Sequence, residues 1–335
     1  MYSSLHNHTY YSLLDGYGSP QEMLDRAKEI GLKAFAVTEH GNVYSHIYFD
    51  LIKKNYPDIK MIYGCELYEC ENIEIKDKDN KYFHLICLIR NEQGRKDLNR
   101  VITKSNFEGF YFKPRCTIED IKPYSENFVI TSACLAGKLA REVDFEKCVE
   151  YVNEYKKAFP YFYLEMQSHN HQDQCSYNQK ILELSKRTNT PFIITTDSHA
   201  PKKEDLYYQD KLIKIGRNSS NNDKNAIENS EVYEGCYMQS EEEIHECMDC
   251  QIGYDNVCLG LENTNKVADL IEEVNMPFQS PQLPTFPLPN GYKDNNEFLW
   301  HLIKQGWKDR GYDKLSHEDQ KIRRDRLNYE MDVIH

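Results

Sequence analysis

The chain has 335 residues, of which 40% are hydrophobic and 28% are charged, so it is long and apolar enough to bury a sizeable core. This length predicts one large domain of about 250 residues with an appendage, or two domains. The net charge of −13 at pH 7 argues against a general nucleic-acid-binding surface, but a nucleic acid could still be held locally where bound cations reverse the sign of a pocket.

The sequence lacks membrane and secretion signals. No apolar run approaches the roughly 20 residues of a membrane span, and no basic-then-apolar signal peptide opens the chain. We therefore expect a cytoplasmic protein with no membrane partner. The 11 cysteines are an odd number without a secretory context, which favours reduced thiols over a disulfide framework.

The first predicted elements are a histidine-bearing strand and a helix. His6 and His8 form an H-x-H pattern, which places both side chains on one face of a strand. By itself this pattern is a weak metal signal. The segment 19–31 predicts the clearest helix, because a serine cap and a proline precede an apolar stripe at helical spacing.

Seven short apolar runs, mostly separated by helical stretches, are predicted as strands. They are the opening SSLHNH and residues 34–38, 61–65, 83–89, 128–134, 161–166 and 192–196. Repeated βα units of this kind predict an α/β protein with a parallel sheet or a barrel. The polar segment 219–230 predicts a surface loop.

Side chains that can bind metal ions follow most of these runs. In α/β barrels the functional residues lie at the C-terminal ends of the strands, and most of the candidates fall there. His84 is the exception, since it lies near the start of its run. With the opening pattern, the candidate ligands are His6, His8, Asp15, His40, Glu66, His84, Cys134, Asp197 and His199.

The ligand types indicate a class of metal and of reaction. Imidazole, carboxylate and thiolate suit zinc, manganese or iron better than calcium or magnesium. Nine ligands are too many for one ion, and carboxylates can bridge ions a few ångströms apart. Such a cluster favours phosphate ester hydrolysis, because the ions hold the phosphate, lower the pKa of a bound water and neutralise the leaving oxygen.

The composition changes after residue 276. Residues 276–291 contain five prolines and predict an extended linker or wrapping segment. Two helical stretches follow, at 295–311 and 316–335. We therefore expect a metal-dependent domain at 1–276 and a linker with a helical lead-in at 277–335. The chain stops inside the last helical stretch, and we expect this to reflect a truncation.

The motifs together resemble the N-terminal part of the bacterial DNA polymerase III alpha subunit family, which begins with a polymerase-and-histidinol-phosphatase (PHP) domain. The segments that carry the resemblance, in the family's order, are LHNHTYYSLLDG, AFAVTEHGNVY, IYGCELY, EGFYFKPR, ITSACLAG, YLEMQSH and TTDSHAPKKED. Two later segments, LPTFPLPNGY and RLNYEMDVIH, resemble the family's lead-in to the polymerase palm. The resemblance covers the whole chain.

The resemblance implies a distorted seven-stranded βα barrel with three metal ions at the C-terminal mouth of its strands. The implied ligand sets are His6, His8, Glu66 and Asp197 for one ion, Glu66, His84 and Cys134 for a second, and Asp15, His40 and His199 for the third. Because all nine positions carry a ligand, the resemblance implies 3′–5′ exonuclease activity on DNA, which is a proofreading function. Asp197, Glu66 and His8 are the predicted catalytic residues.

The resemblance also implies partners, namely a DNA 3′ end, the remainder of the polymerase and other replisome proteins. The glycine-rich nucleotide-binding segment and the catalytic aspartates of the palm are absent, so this chain is not expected to polymerise DNA. Glu39 stands where the family usually has aspartate, and Ala200 where an aromatic residue is common. Neither is a ligand, so we expect changes only around the site.

Four further residues are candidate substrate contacts: His169, Lys113, Arg115 and Arg141. For the three cations, a role as ordinary surface residues is equally open. His46 is expected to be solvated. Cys247 and Cys250 lie in a predicted capped helix without a second cysteine pair, so we expect no separate zinc site.

Two other functions stay open at this point. One is a small-molecule phosphatase of the histidinol phosphate type, which the palm-like C-terminal segments disfavour. The other is a non-catalytic role, in which metals only stabilise a scaffold for polymerase partners. Metal ligands alone do not separate this scaffold from a nuclease.

Overall fold

The computed structural model describes residues 1–77, 80, 82–216 and 234–334. The chain divides into two compact units, Met1–Met276 and Pro277–His335. The segment 219–230, predicted as a surface loop, lies outside the described residues.

The first unit is built around a mixed β-sheet. Its described strands are β1 (Ser3–Ser4), β2 (Ala34–Val37), β3 (Lys60–Cys70), β4 (Tyr82–Ile89), β5 (Phe110–Tyr111), β6 (Lys113–Cys116), β7 (Phe128–Thr131), β8 (Phe162–Gln167) and β9 (Phe192–Thr195). Each of the seven predicted runs overlaps one of these strands. The short hairpin of β5 and β6 was not predicted, and β6 pairs with β3.

The main path through the sheet runs β1-β2-β3-β4-β7-β8-β9. Along this path β4 is antiparallel to both of its neighbours, whereas the other pairs are parallel. The first residues of β4 therefore lie at the edge where the other strands end. This reversal explains why His84 begins its apolar run while the other candidate ligands follow theirs.

Helices surround the strands of this unit. They are α1 (Pro20–Glu29), α2 (His46–Ile52), α3 (Glu92–Phe107), α4 (Ile118–Ile121), α5 (Lys138–Arg141), α6 (Phe145–Ala158), α7 (Gln172–Thr188), α8 (Leu206–Gly216), α9 (Glu241–Ile252) and α10 (Tyr254–Leu270). The predicted cap of α1 is present, because Ser19 and Glu22 form a reciprocal capping box.

The sheet curves until its first and last strands meet. The backbone of Ser198, beyond β9, exchanges hydrogen bonds of 2.7 and 3.2 Å with the segment that follows β1. At the opposite end of the barrel α10 spans the gap, where the Asn263 side chain donates to the β9 backbone and Thr264 Oγ1 accepts from the β1 backbone. The predicted distorted seven-stranded βα barrel is confirmed.

Alternate residues along the strands face two apolar layers. On β2, Phe35 and Val37 pack in an outer layer with the helices, whereas Ala34 and Ala36 pack in an inner layer with residues of other strands. We call this inner layer the barrel floor; it consists of Leu5, Ala34, Ala36, Ile62, Ile86, Leu88, Val129, Ala133, Ile193, Val267, Ala268 and Ile271. The last three belong to or follow α10, which closes the floor.

The second unit contains α11 (Asn295–Asp309) and α12 (His317–Ile334), close to the two predicted helical stretches. The proline-rich residues 277–289 form neither helix nor strand. Among the described residues of this unit, Met331 is the one buried hydrophobic side chain. None of the described helices has the length and apolar character needed to cross a membrane.

Candidate metal centre

The nine candidate ligands converge on the barrel mouth, at the edge opposite the floor. His6 and His8 follow β1, His40 follows β2, and Asp197 with His199 follows β9. Glu66 lies within the long β3, where its backbone pairs with His40 across a parallel bridge. Pairing between neighbouring strands therefore brings together side chains that are up to 193 positions apart, from 6 to 199 in the sequence.

The first implied ligand set is close-packed. His6 Nε2 lies 3.1 Å from Asp197 Oδ1 and 3.4 Å from Glu66 Oε1. His8 Nε2 lies 3.4 Å from the same Asp197 oxygen and 3.6 Å from Glu66 Oε2. The two histidine Nε2 atoms are 3.1 Å apart. Separations of about 3–4 Å are expected between ligands of one ion when each lies about 2 Å from the metal.

Glu66 stands between this set and a second group of ligands. Its Oε1 lies 2.9 Å from His84 Nδ1 and 3.8 Å from Cys134 Sγ, and Cys134 Sγ is 3.5 Å from the same histidine nitrogen. Its Oε2 lies 2.5 Å from His40 Nδ1. A carboxylate with ligand groups on both oxygens has the arrangement needed to bridge two ions.

The third implied set lies on the outer side of the cluster. Asp15 Oδ2 is 2.7 Å from His40 Nε2 and 3.5 Å from His199 Nε2. The rings of His40 and His199 each stack on the His8 ring, with centroid separations of 4.2 and 4.3 Å. All nine candidate ligands are thus within one continuous cluster.

The side chains of this cluster fit divalent cations. His40 Nδ1, Glu66 Oε2 and Asp197 Oδ1 are buried atoms without a hydrogen bond, and the close approach of the first two lacks hydrogen-bond geometry. Buried polar atoms normally have a partner, so lone pairs left unsatisfied in this way suit a cation. Imidazole, carboxylate and thiolate donors are also the set that transition metals prefer.

Burial and neighbouring charges shift the pKa values of several of these groups. Burial opposes ionisation of Glu66, but His84 and His40 overcome it and hold the carboxyl pKa well below its ordinary 4.5. Burial, together with the neighbouring His40 and His199, lowers the pKa of His8 to about 3. Burial disfavours the charged form of His40, yet Glu66 and Asp15 raise its pKa to about 9. A cation bound by His40 would therefore displace a proton from its ring.

Two buried carboxylates contact candidate ligand histidines, either directly or through a hydroxyl group. Glu165 Oε1 lies 2.7 Å from His6 Nδ1 and accepts from Thr195 Oγ1 at 2.7 Å. Glu39 accepts from Ser12 Oγ at 2.5 Å, and that hydroxyl lies 3.0 Å from His8 Nδ1. Such partners fix the ring orientation and tautomer of a ligand histidine. Sequence reasoning missed Glu165, although a carboxylate inside the apolar run 161–166 was an available signal.

Cys236 is a second residue that sequence reasoning missed. Its ligand atom groups with those of Asp197 and His199 within 4.8 Å, and its Sγ lies 3.7 Å from His169 Nε2. No spacing pattern connects it to the nine candidates, so the sequence carried no signal for it. His169 itself is buried and lines, with His171 and several ligands, a cavity of about 160 Å³ at the mouth.

The three candidate phosphate contacts have different environments. Arg115 is buried, and its guanidinium donates to the backbone carbonyls of Gly109, Ile73 and Ile75. Neither a phosphate contact nor an ordinary surface position fits this residue, which holds a loop in place. Lys113 and Arg141 are exposed. Arg141 donates to the Tyr82 carbonyl, while the Lys113 ammonium lies over an aromatic ring.

His46 also differs from the expectation. It is buried, and its Nε2 donates to the Gly64 carbonyl at 2.9 Å. Burial lowers its pKa to about 4, so the ring is neutral near pH 7. The prediction of a solvated histidine was wrong because α2 packs this ring against β3.

The hairpin of β5 and β6 borders the mouth. Lys113 Nζ lies 5.2 Å from the ring centroid of Tyr68, and that ring is 5.3 Å from the ring of the candidate ligand His84. Gly41, next to the candidate ligand His40, has a φ of 62° and no room for a side chain, since a Cβ there would lie 2.8 Å from Pro114 of β6. Phe112, at the turn of the hairpin, is 79% exposed.

Fold and site together define a mixed βα barrel with a cluster of side chains that could hold metal ions at the mouth of its strands. Residues 4–169 match the PHP domain family, and this part of the chain belongs to that family.

The chain is also similar to DNA polymerase III alpha subunits. It is 33% identical to that of Borreliella burgdorferi and 31% identical to that of Treponema pallidum, in each case over 98% of this chain. The chain spans about 28% of the length of these curated relatives. Among solved structures, an amidohydrolase from Chromobacterium violaceum is 12% identical with a TM-score of 0.43, covering 61% of this chain and 89% of that one.

Proposed function

We propose that this chain hydrolyses phosphodiester bonds at the 3′ end of DNA, as a metal-dependent 3′–5′ exonuclease. The convergence of nine candidate ligand side chains on one cluster, with Glu66 in contact with five of them, is the observation that carries the proposal. In a full-length polymerase alpha subunit the activity would serve proofreading, with the remainder of the polymerase and other replisome proteins as partners.

About three divalent ions, of zinc, manganese or iron, are proposed for the centre. His6, His8, Glu66 and Asp197 would hold one, Glu66, His84 and Cys134 a second, and Asp15, His40 and His199 the third. When bound, such ions hold a phosphate ester, acidify a water and stabilise the departing oxygen.

The residues of the chain have roles of their own in this proposal. Asp197, Glu66 and His8 are the proposed catalytic residues, because their ligand atoms meet at the centre of the cluster. The Glu165 carboxylate accepts a hydrogen bond from His6 Nδ1, and this orientation leaves His6 Nε2 facing the cluster. His169 lines the same cavity and is the proposed substrate contact.

The hairpin supports a nucleic acid as the substrate. It offers the exposed ring of Phe112 beside the ammonium of Lys113, and single-stranded nucleic acids bind where aromatic rings stack on bases next to basic groups. Lys113 contacts a ring that touches a candidate ligand, so a strand on the hairpin would end near the cluster. The acidic chain offers little else for duplex DNA, and we expect single-stranded or frayed ends to be preferred and salt to weaken cleavage.

The test is incubation of metal-loaded protein with 5′-labelled single-stranded DNA, with and without a chelator. Wild type should shorten the strand one nucleotide at a time, and Asp197→Asn should abolish cleavage while the far-ultraviolet circular dichroism spectrum stays the same. Asp269→Asn, at an exposed position on α10, is the matched control and should cleave like wild type.

Three results would overturn the proposal in different ways. Equal cleavage by wild type and Asp197→Asn would assign the nuclease to a contaminant. Metal-loaded wild type without any cleavage would favour the scaffold role. Release of phosphate from histidinol phosphate, with DNA left intact, would replace the nuclease with a small-molecule phosphatase.

A further inference from the structure

Cys236 differs from most of the buried cysteines in what surrounds it. Cys65, Cys87, Cys116 and Cys148 pack in the outer apolar layer, where a thiol behaves as a small hydrophobic side chain. Cys236 is equally buried but belongs to neither apolar layer. It lines the cavity at the mouth, as the candidate ligand Cys134 does. Its position therefore resembles that of a ligand more than that of a core residue.

Backbone hydrogen bonds fix Cys236 beside the end of β9. His199 N donates to the Cys236 carbonyl at 2.8 Å, and Met238 N donates to the Ala200 carbonyl at 3.1 Å. The segment thus pairs in parallel with the residues that carry the last candidate ligands. Gly235 allows this approach, because a Cβ there would lie 2.7 Å from His169 Nδ1 and 2.8 Å from the Ser168 carbonyl.

The side chains around Cys236 include an unsatisfied acceptor. The ligand atoms of Asp197, His199 and Cys236 all lie within 4.8 Å of one another. Asp197 is 92% buried (8% exposed), and its Oδ1 has no hydrogen bond. A carboxylate oxygen, an imidazole nitrogen and a sulfur within 4.8 Å of one another are close enough to approach one ion, since neighbouring ligands of a tetrahedral ion lie about 3.5 Å apart.

His169 completes the surroundings of the sulfur. Its Nε2 is 3.7 Å from Cys236 Sγ, within reach of an N–H···S hydrogen bond. A hydrogen bond of this kind stabilises a thiolate and fixes its direction, as partners of metal ligands commonly do.

We propose that Cys236 is a tenth ligand, which supplies a thiolate to the third ion, the one that His199 would hold, with Asp197 of the first ion's ligand set beside it. His169, the proposed substrate contact, then also orients this sulfur through its Nε2. The inference rests on the metal centre of the proposed function, but not on the reaction or the substrate. It predicts two thiolates in the centre, Cys134 and Cys236, where the nine-ligand arrangement has one.

The experiment counts thiolates in the cobalt-substituted chain. Thiolate ligation to cobalt(II) gives a charge-transfer band in the near ultraviolet, whereas oxygen and nitrogen ligation does not. Cys134→Ser and Cys236→Ser should each lose about half of the band at saturating cobalt, and the double variant should lose all of it. Cys250→Ser, at an exposed position on α9, should keep the full band.

Two controls keep the result decisive. Cobalt content and melting temperature are measured for each variant, and X-ray absorption of the zinc-loaded wild type counts sulfur neighbours without any substitution. A full band in Cys236→Ser, with the whole band lost in Cys134→Ser, would overturn the tenth ligand alone. A wild type that binds no cobalt would overturn the metal centre and the proposed function with it.

Discussion

The barrel mouth and the barrel floor are built by the same strands but are stabilised in different ways. On the floor, small and branched apolar side chains fill the inner space and α10 closes it. At the mouth, a few residues further along the parallel strands and at the start of β4, buried histidines and carboxylates occupy the corresponding space. Apolar burial stabilises the floor regardless of pH or ions. The mouth depends on opposite charges, because each buried charge is costly without a partner.

Metal removal should have the largest effect, and only at the mouth. Chelation would leave Asp15, Glu66 and Asp197 without cations in one buried cluster. A bound metal at a thousand times its Kd adds about 4 kcal/mol to the free energy of unfolding, and chelation would remove this stabilisation. We expect the melting temperature to fall by roughly 10 °C, by calorimetry, and to recover when metal is returned. Asp197→Asn should show a smaller shift on chelation. An unchanged melting curve after confirmed metal loss would contradict this dependence.

Leu88→Ala should damage the floor without affecting the mouth. Leu88 is fully buried near the end of β4 that lies away from the cluster. Truncation of a buried leucine leaves a cavity and costs about 2–5 kcal/mol, which denaturant unfolding would measure. The metal-to-protein ratio of the folded variant should equal that of wild type. If metal is lost as well, mouth and floor are coupled more tightly than their separate chemistry implies.

Glu165→Gln should weaken the mouth with little change in shape. The amide group would place a donor among the hydroxyls of Thr131 and Thr195, which both donate to the present carboxylate. His6 would have a neutral amide in place of the charged carboxylate that fixes its tautomer, and we expect metal affinity to fall about 10- to 100-fold. Competition with a coloured chelator would report this change. Unaltered affinity would show that Glu165 matters for packing only.

Substitution of His46, which lies outside the mouth, should have the smallest effect, and this effect on the free energy of unfolding should depend on pH. Its pKa is about 4 when buried and 6.5 when exposed, so the unfolded chain binds more protons between these values. Its contribution to stability is complete above pH 6.5 and decreases as the pH falls towards 4. At pH 5 the loss is about 2 kcal/mol. In the metal-free protein, the free energy of unfolding should fall less between pH 7 and pH 5 in His46→Gln than in wild type, by about 2 kcal/mol. Equal pH dependence of the two proteins would contradict the lowered pKa of His46.

Local patterns in the sequence sufficed for the elements and for most of the ligand set. The seven apolar runs could be recognised because burial of apolar side chains drives such segments into the core. The serine cap of α1 could be recognised because it forms hydrogen bonds only within its own turn. Histidine, carboxylate and thiol groups after successive runs had to meet, since the ends of neighbouring strands lie at one edge. The ligand roles themselves stay predictions until metal is measured.

Only the tertiary structure decided the features that depend on distant pairing. The reversed direction of β4 brings His84 to the mouth, and the pairing of β6 with β3 buries Arg115 among backbone carbonyls. The segment around Cys236 reaches the cluster through hydrogen bonds to residues 199 and 200. The sequence determined which side chains are apolar, capping or able to bind metal, because those are properties of single residues and their near neighbours. Which of them meet is set by hydrogen bonds between segments far apart in the chain, and no local pattern encodes that choice.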